Sequence, residues 1–133
     1  MEPLIIGVTG AVTYEDKRKI RDFLFLFKNQ DNVKIVSLGD KNGTDKYVKK
    51  YALELGLSYG ELNAPHTNKN LYSIMSEGFH GKPFAVKNYH LQLNIYSTYV
   101  HRCAIFTRDS NDKKVKSLIA KLKKTKKPFV LIS

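Results

Sequence analysis

The chain reads as an α/β protein, a single three-layer domain with a mostly parallel sheet of about five strands and helices on both faces. Two observations carry that expectation. Short β-branched runs alternate with stretches of helical apolar spacing along the whole sequence. The run Val33-Lys-Ile-Val-Ser-Leu then passes through a loop holding Gly39 and Gly43 straight into the amphipathic stretch that begins at Thr44. Strand, glycine loop and helix in that order put free backbone N–H groups and a positive helix end beside one loop, where α/β proteins commonly hold an anion. A length of 133 residues suits one domain with a real core.

The elements follow in order. Residues 4–9 read as a strand. Residues 15–28 form a helix with Ile20, Phe23, Leu24 and Phe27 on one face. Residues 33–38 are a second strand, 44–55 a second helix stopped by Gly56, and 57–62 a short third strand. Residues 63–88 lack a clean period and are rich in Asn, Gly, Pro and His, as in a lid or an interface segment. A helix follows over 89–101, with Leu91, Ile95 and Tyr99 in one stripe and Leu93 and Tyr96 beside it. Residues 102–107 are a strand, 112–124 a helix with Val115, Leu118, Ile119 and Leu122 inward, and 128–132 the last strand. Right-handed crossovers would gather the loops 9–14, 39–45, 107–111 and part of 63–88 at one edge of the sheet.

Composition narrows the function classes. Apolar residues make up 42% and are spread along the chain, which argues against wholesale disorder. No run approaches the ~18 apolar residues of a membrane span, and the start shows no signal-peptide pattern. The single cysteine, Cys103, lies in an apolar run and rules out an internal disulfide framework, so a cytoplasmic location is expected. His66, His80, His90 and His101 have no metal-ligand spacing, so no metal or cofactor is expected. The net charge of +11 favours an anionic partner.

The candidate ligand residues sit on the expected edge. Gly39, Asp40, Asn42, Gly43, Thr44 and Asp45 would supply a phosphate loop, and the same residues would serve a tight turn with Thr44 or Asp45 as helix cap. Thr9, Gly10 and Thr13 form a parallel set, with Gly10 allowing close approach and Thr13 able to cap the first helix. Asn94 pairs a donor with an acceptor and could read a ligand edge. Arg108 offers a planar fork to phosphate, in a turn where Ser110 or Asn111 would cap the last helix. Lys46, Lys49 and Lys50 on the second helix form one candidate nucleic-acid surface. Lys113, Lys116, Lys123 and Lys124 form another, within a stretch holding eight lysines in fifteen residues.

Several motifs together resemble the SLOG superfamily, named from the Smf/DprA and LOG proteins, and within it the small YspA-like branch. Thr9-Gly10-Ala11-Val12-Thr13-Tyr14 stands where that branch has a first strand ending in Gly-Ser-Arg. Ser37-Leu-Gly-Asp-Lys-Asn-Gly-Thr-Asp45 stands at its Ser-Gly-Gly-x-x-Gly-Ala-Asp motif. Asn94 stands at its Arg-Asn pair, and Lys126-Lys-Pro-Phe-Val130 at its last strand. The resemblance implies a Rossmann-like domain, homodimeric or of higher order, that holds a nucleotide or nucleotide-derived small molecule. The family's Arg positions are Val12 and Leu93, and the second Gly-Thr phosphate loop of LOG-type enzymes is missing from residues 106–113. Non-catalytic sensing or sequestration is therefore the leading expectation. The alternatives are binding of single-stranded DNA or RNA, hydrolysis of a nucleoside monophosphate using Glu61 or Asp109, and capture of a host factor by a small basic viral protein.

Overall fold

The computed structural model describes residues 2–133. Five parallel strands form one sheet in the order β3-β2-β1-β4-β5, with β1 Leu4–Gly10, β2 Val33–Ser37, β3 Ser58–Glu61, β4 Arg102–Phe106 and β5 Phe129–Ile132. The helices are α1 Lys17–Phe25, α2 Thr44–Glu54, α3 Val86–Tyr99 and α4 Lys113–Lys124. Helix α1 packs on α2, and α3 on α4, as expected when right-handed crossovers place one pair on each face. Strand order reverses between β1 and β4, the switch point beside which such sheets commonly bind ligands. The expected fold class is therefore the observed one. Among the described residues no helix is long and apolar enough to cross a membrane.

The core lies on both faces of β1, β2 and β4. Ile35, Val36, Val8, Ile105 and Phe106 are buried beneath Ile20, Leu24 and Val48 and beneath Leu93, Tyr96, Leu118 and Leu122. Tyr96 brings a hydroxyl into this apolar setting and donates it to the Val36 carbonyl at 2.7 Å. Cys103 sits in the same core, and burial pushes its thiol up to about 12.

Local chemistry moves several boundaries. Helix α1 starts at Lys17 because Asp16 is its cap, accepting the Lys19 N–H at 3.3 Å, whereas Thr13 stays exposed in the preceding turn. Asp112, and neither Ser110 nor Asn111, caps α4 by accepting the Val115 N–H at 3.0 Å. Helix α2 has Gly43 at its cap position with no side-chain cap, so neither Thr44 nor Asp45 plays that part.

The inner face of α3 is rotated from the expected stripe. Gln92, Leu93, Tyr96 and Ser97 are buried while Leu91 is exposed. The polar Gln92 and Ser97 hide this face from any apolar count, because their hydrogen-bonding groups find partners inside. Residues 63–88 hold one 3-10 turn, Glu77–Phe79, and a stretch that lies along the outer edge of β3. There the Glu61 N–H donates to the Tyr72 carbonyl at 2.9 Å and the Ile74 N–H to the Glu61 carbonyl at 3.0 Å.

Candidate functional site

At the switch point the protein fills its own crevice. The Ala11 N–H donates to the Phe106 carbonyl, continuing β1 along β4. The Thr44 N–H and hydroxyl both donate to the Ala11 carbonyl, at 3.2 and 2.9 Å. Gly10 and Gly43 are the residues that let these backbones meet. A Cβ on Gly10 would lie 2.1 Å from the Phe106 carbonyl oxygen and 2.7 Å from Thr44 Oγ1. One on Gly43, whose φ is +69°, would lie 2.3 Å from the Val12 carbonyl oxygen. Both glycines answer to the protein's own backbone.

Beneath this seam lies an ionic network centred on the buried Asp45. Thr9 donates its hydroxyl to Asp45 Oδ1 at 2.6 Å, and the Asp40 N–H donates to Asp45 Oδ2 at 3.1 Å. Lys114 Nζ reaches Asp45 Oδ2 at 3.0 Å and Asp40 Oδ2 at 2.5 Å. Burial pushes the Asp45 carboxyl above the usual carboxylate range, and the Lys114 ammonium pulls it back. Burial also works against the charge on Lys114, yet Asp45 and Asp40 together hold that ammonium above its ordinary value. The network links β1, the β2–α2 loop, α2 and α4.

Open space lies to the side, over the carboxyl ends of β2 and β3. A groove of about 800 Å³ runs between the 39–41 loop, the first turns of α2 and residues 61–70. Its carboxylates are already engaged. Asp40 is paired with Lys114, and Glu61 accepts the Tyr59 hydroxyl at 2.9 Å and the Asn70 amide at 2.5 Å, with Lys49 at 3.9 Å. Burial holds the Tyr59 phenol well above its ordinary value, so it stays a donor to Glu61. Asn63 is likewise consumed, donating to Thr67 Oγ1 and the Asn68 carbonyl and accepting from Ser73. Lys41 and Lys46 line the groove with no carboxylate partner among the described residues. Of the loop amides, Gly39, Asp40 and Thr44 are bonded internally, which leaves Lys41, Asn42 and Gly43. The groove is thus a polar wall with one net positive charge, three lysines against two carboxylates, since the single Lys114 ammonium is shared between Asp40 and Asp45.

The candidates from sequence divide accordingly. Thr9, Gly10, Gly43, Thr44 and Asp45 come together in the sealed switch point, while Gly39, Asp40, Lys46 and Lys49 line the groove. Arg108 points outward to Asp16 at 3.2 Å across the Tyr14 ring. Asn94 stands on the outer face of α3, in a hollow with Glu2, Ile5 and His101 at the amino end of the sheet. Gln92 turns inward instead, donating to the Leu38 and Leu62 carbonyls at 3.2 and 2.9 Å and so tying the ends of β2 and β3. Lys113 and Lys116 belong to the carboxyl edge, and Lys123 and Lys124 to the last turn of α4 at the opposite edge, so the lysines of α4 form no single surface. Of the two candidate carboxylates, Glu61 ends β3 and is buried with both oxygens bonded, and Asp109 is exposed in the turn after β4.

Lys114 and Gln92 escaped the sequence reading, although both carry a signal. Each lies four residues before a buried apolar residue, Leu118 and Tyr96, and so falls on the inner helical face.

A five-stranded parallel sheet reversing between β1 and β4, with helices on both faces, is a Rossmann-like α/β fold. No protein-family model and no curated protein matches the chain. Solved structures do. The molybdenum cofactor binding protein of the phototrophic bacterium Rippkaea orientalis superposes with a TM-score of 0.74 at 15% identity, over 98% of this chain and 77% of that one. The molybdenum cofactor carrier protein of Chlamydomonas reinhardtii gives 0.68 at 18%, over 98% and 76%. DNA processing protein A of Streptococcus pneumoniae gives 0.75 at 11%, over 99% of this chain but 50% of that one. The chain therefore has the SLOG-type fold that its motifs resemble.

Proposed function

We propose that the chain binds a small anionic ligand, a nucleotide or a nucleotide-derived molecule, in the groove over β2 and β3 without transforming it. One observation carries this reading. Lys41, Lys46 and Lys49 outnumber Asp40 and Glu61 on the groove walls by one positive charge, and Lys41 and Lys46 have no carboxylate within salt-bridge distance among the described residues. The amides of Lys41 and Asn42 are free for phosphate oxygens beside the start of α2, whose dipole adds to the attraction. His66 and Asn68 line the far wall and offer hydrogen-bonding groups to a heterocycle or ribose. Two neighbours of the same fold are named for binding or carrying a small cofactor, which supports a holding role. The buried Glu61 carboxylate is already held by Tyr59 and Asn70, which argues against its serving as the carboxylate of a hydrolase.

A second reading, single-stranded nucleic acid along the carboxyl rim, is favoured by a different observation. The first turns of α1 and α4 carry Lys17, Arg18, Lys19, Lys113 and Lys116 and no acidic residue. Cations at a helix N-terminus oppose the macrodipole by about 0.3–1 kcal/mol each, so this placement serves something other than helix stability.

A thermal-shift panel separates the two. Mononucleotides, dinucleotides and short single-stranded oligonucleotides are tested at low and high salt on wild type, Lys46→Glu and Lys113→Glu. Stabilisation by a mononucleotide that survives salt and is lost in Lys46→Glu alone supports the groove. Stabilisation by oligonucleotides only, abolished by salt and by Lys113→Glu, supports the rim and overturns the groove.

A further inference from the structure

The two edges of the sheet are treated differently. Along β3 the chain covers its own edge through the Glu61–Tyr72 and Ile74–Glu61 backbone bonds. Along β5 no strand or loop among the described residues bonds to the outer side. The Cys103 N–H donates to the Pro128 carbonyl and the Thr107 N–H to the Ile132 carbonyl, so the even positions of β5 face β4. Phe129 and Leu131 therefore turn their N–H and C=O groups outward. Val130 and Leu131 are 51% and 47% exposed, on opposite faces of this strand. Beside Val130, an apolar hollow of about 450 Å³ opens between α1 and the sheet, floored by Ile6 and Ala104 and walled by Phe23 and Phe27. An open backbone edge with apolar residues on both faces is a template for strand addition.

Charge selects the occupant. Lys19 stands at the carboxyl end of β5, where its Nζ donates to the Ser133 carbonyl at 2.6 Å, Lys126 precedes the strand, and Arg102 borders the hollow. A second copy pairing antiparallel would bring Lys126 of one chain towards Lys19 of the other, between two bodies of net charge +11. Like charges so placed oppose self-pairing. We infer that the free edge of β5 receives an extended segment of a different protein, apolar in alternation and flanked by acidic residues. The exposed backbone donors and acceptors select an extended strand over a helix, and the flanking cations select its charge.

The test uses two end-blocked peptides of alternating valine and threonine, one flanked by glutamates and the other by lysines. The glutamate peptide should slow amide exchange at Phe129 and Leu131 and bind at least tenfold more tightly than the lysine peptide. Leu131→Pro removes an outward N–H and leaves the β4 ladder intact, so it should fold and lose the peptide. Lys19→Glu with Lys126→Glu keeps the backbone edge and should reverse the peptide preference, a readout independent of how the proline variant folds. Absence of binding to wild type, equal binding of both peptides, or an unchanged preference in the charge-reversed variant overturns the inference. So does a concentration-dependent dimer of wild type that Leu131→Pro dissolves, since a second copy would then hold the edge.

Discussion

The carboxyl edge of this sheet has two halves built from the same materials to opposite ends. Around β1 and β4, glycines bring backbones together until Thr44, Ala11 and Phe106 bond one another, and the part-buried Lys114 bridges Asp45 and Asp40 beneath them. Around β2 and β3, a glycine loop and a lysine-bearing helix leave a groove of about 800 Å³. A glycine loop before a helix is therefore not itself a ligand site. What decides is whether another segment of the chain already fills the space the missing side chains leave.

That contrast can be broken most forcefully at Lys114. Lys114→Met strands the Asp45 carboxylate in the interior, and about 3–5 kcal/mol of stability should be lost at neutral pH by denaturant unfolding. The deficit should shrink in acid, where Asp45 takes up a proton and no longer needs a counter-ion. The alkaline side follows from the raised Lys114 value. The folded protein holds that proton more tightly than the unfolded chain, so the stabilisation is complete below about 10.5 and fades as pH rises through the folded value. The buried phenols of Tyr14, Tyr59, Tyr89 and Tyr96 are also raised by burial and add to the alkaline loss. The variant should therefore show a shallower alkaline limb than wild type, by up to about 1.4 kcal/mol per pH unit.

Gly43→Ala should come next, costing roughly 2–4 kcal/mol through its positive φ and the collision with Val12, before any ligand is added. A cost under about 0.5 kcal/mol would mean that the seam is looser than described. Gln92→Leu removes the tie between the Leu38 and Leu62 carbonyls and should lower stability by about 1–3 kcal/mol. Lys46→Glu should leave stability within about 0.5 kcal/mol while weakening an anionic ligand by tenfold or more in calorimetric titration. Asn94→Ala should change neither, because that side chain stands on the outer face of α3.

The strand–helix alternation, the parallel sheet and the carboxyl edge were legible because apolar period and glycine placement are local properties. Where helices begin was less so. Asp16 outcompeted Thr13 as a cap, and Asp112 outcompeted Ser110 and Asn111, since each sits one residue before the helix with a carboxylate in reach of its N–H groups. The two halves of the edge were not distinguishable in sequence at all. Whether Gly10 faces a ligand or Phe106 depends on strand order, and whether Lys114 faces solvent or Asp45 depends on how α4 lies over the sheet. Asn94 and Gln92 illustrate the same limit, because two polar residues 200° apart on a helix look alike until the buried face is known.

The most direct measurement is a backbone amide titration by NMR with adenosine monophosphate and, separately, pyrophosphate. Ligand in the groove should shift amides at residues 39–43, at Lys46 and Lys49 and across 63–70, with residues 9–14 and 107–111 unmoved. Shifts centred on 9–14 and 107–111 instead, or none with either probe at millimolar concentration, would contradict it.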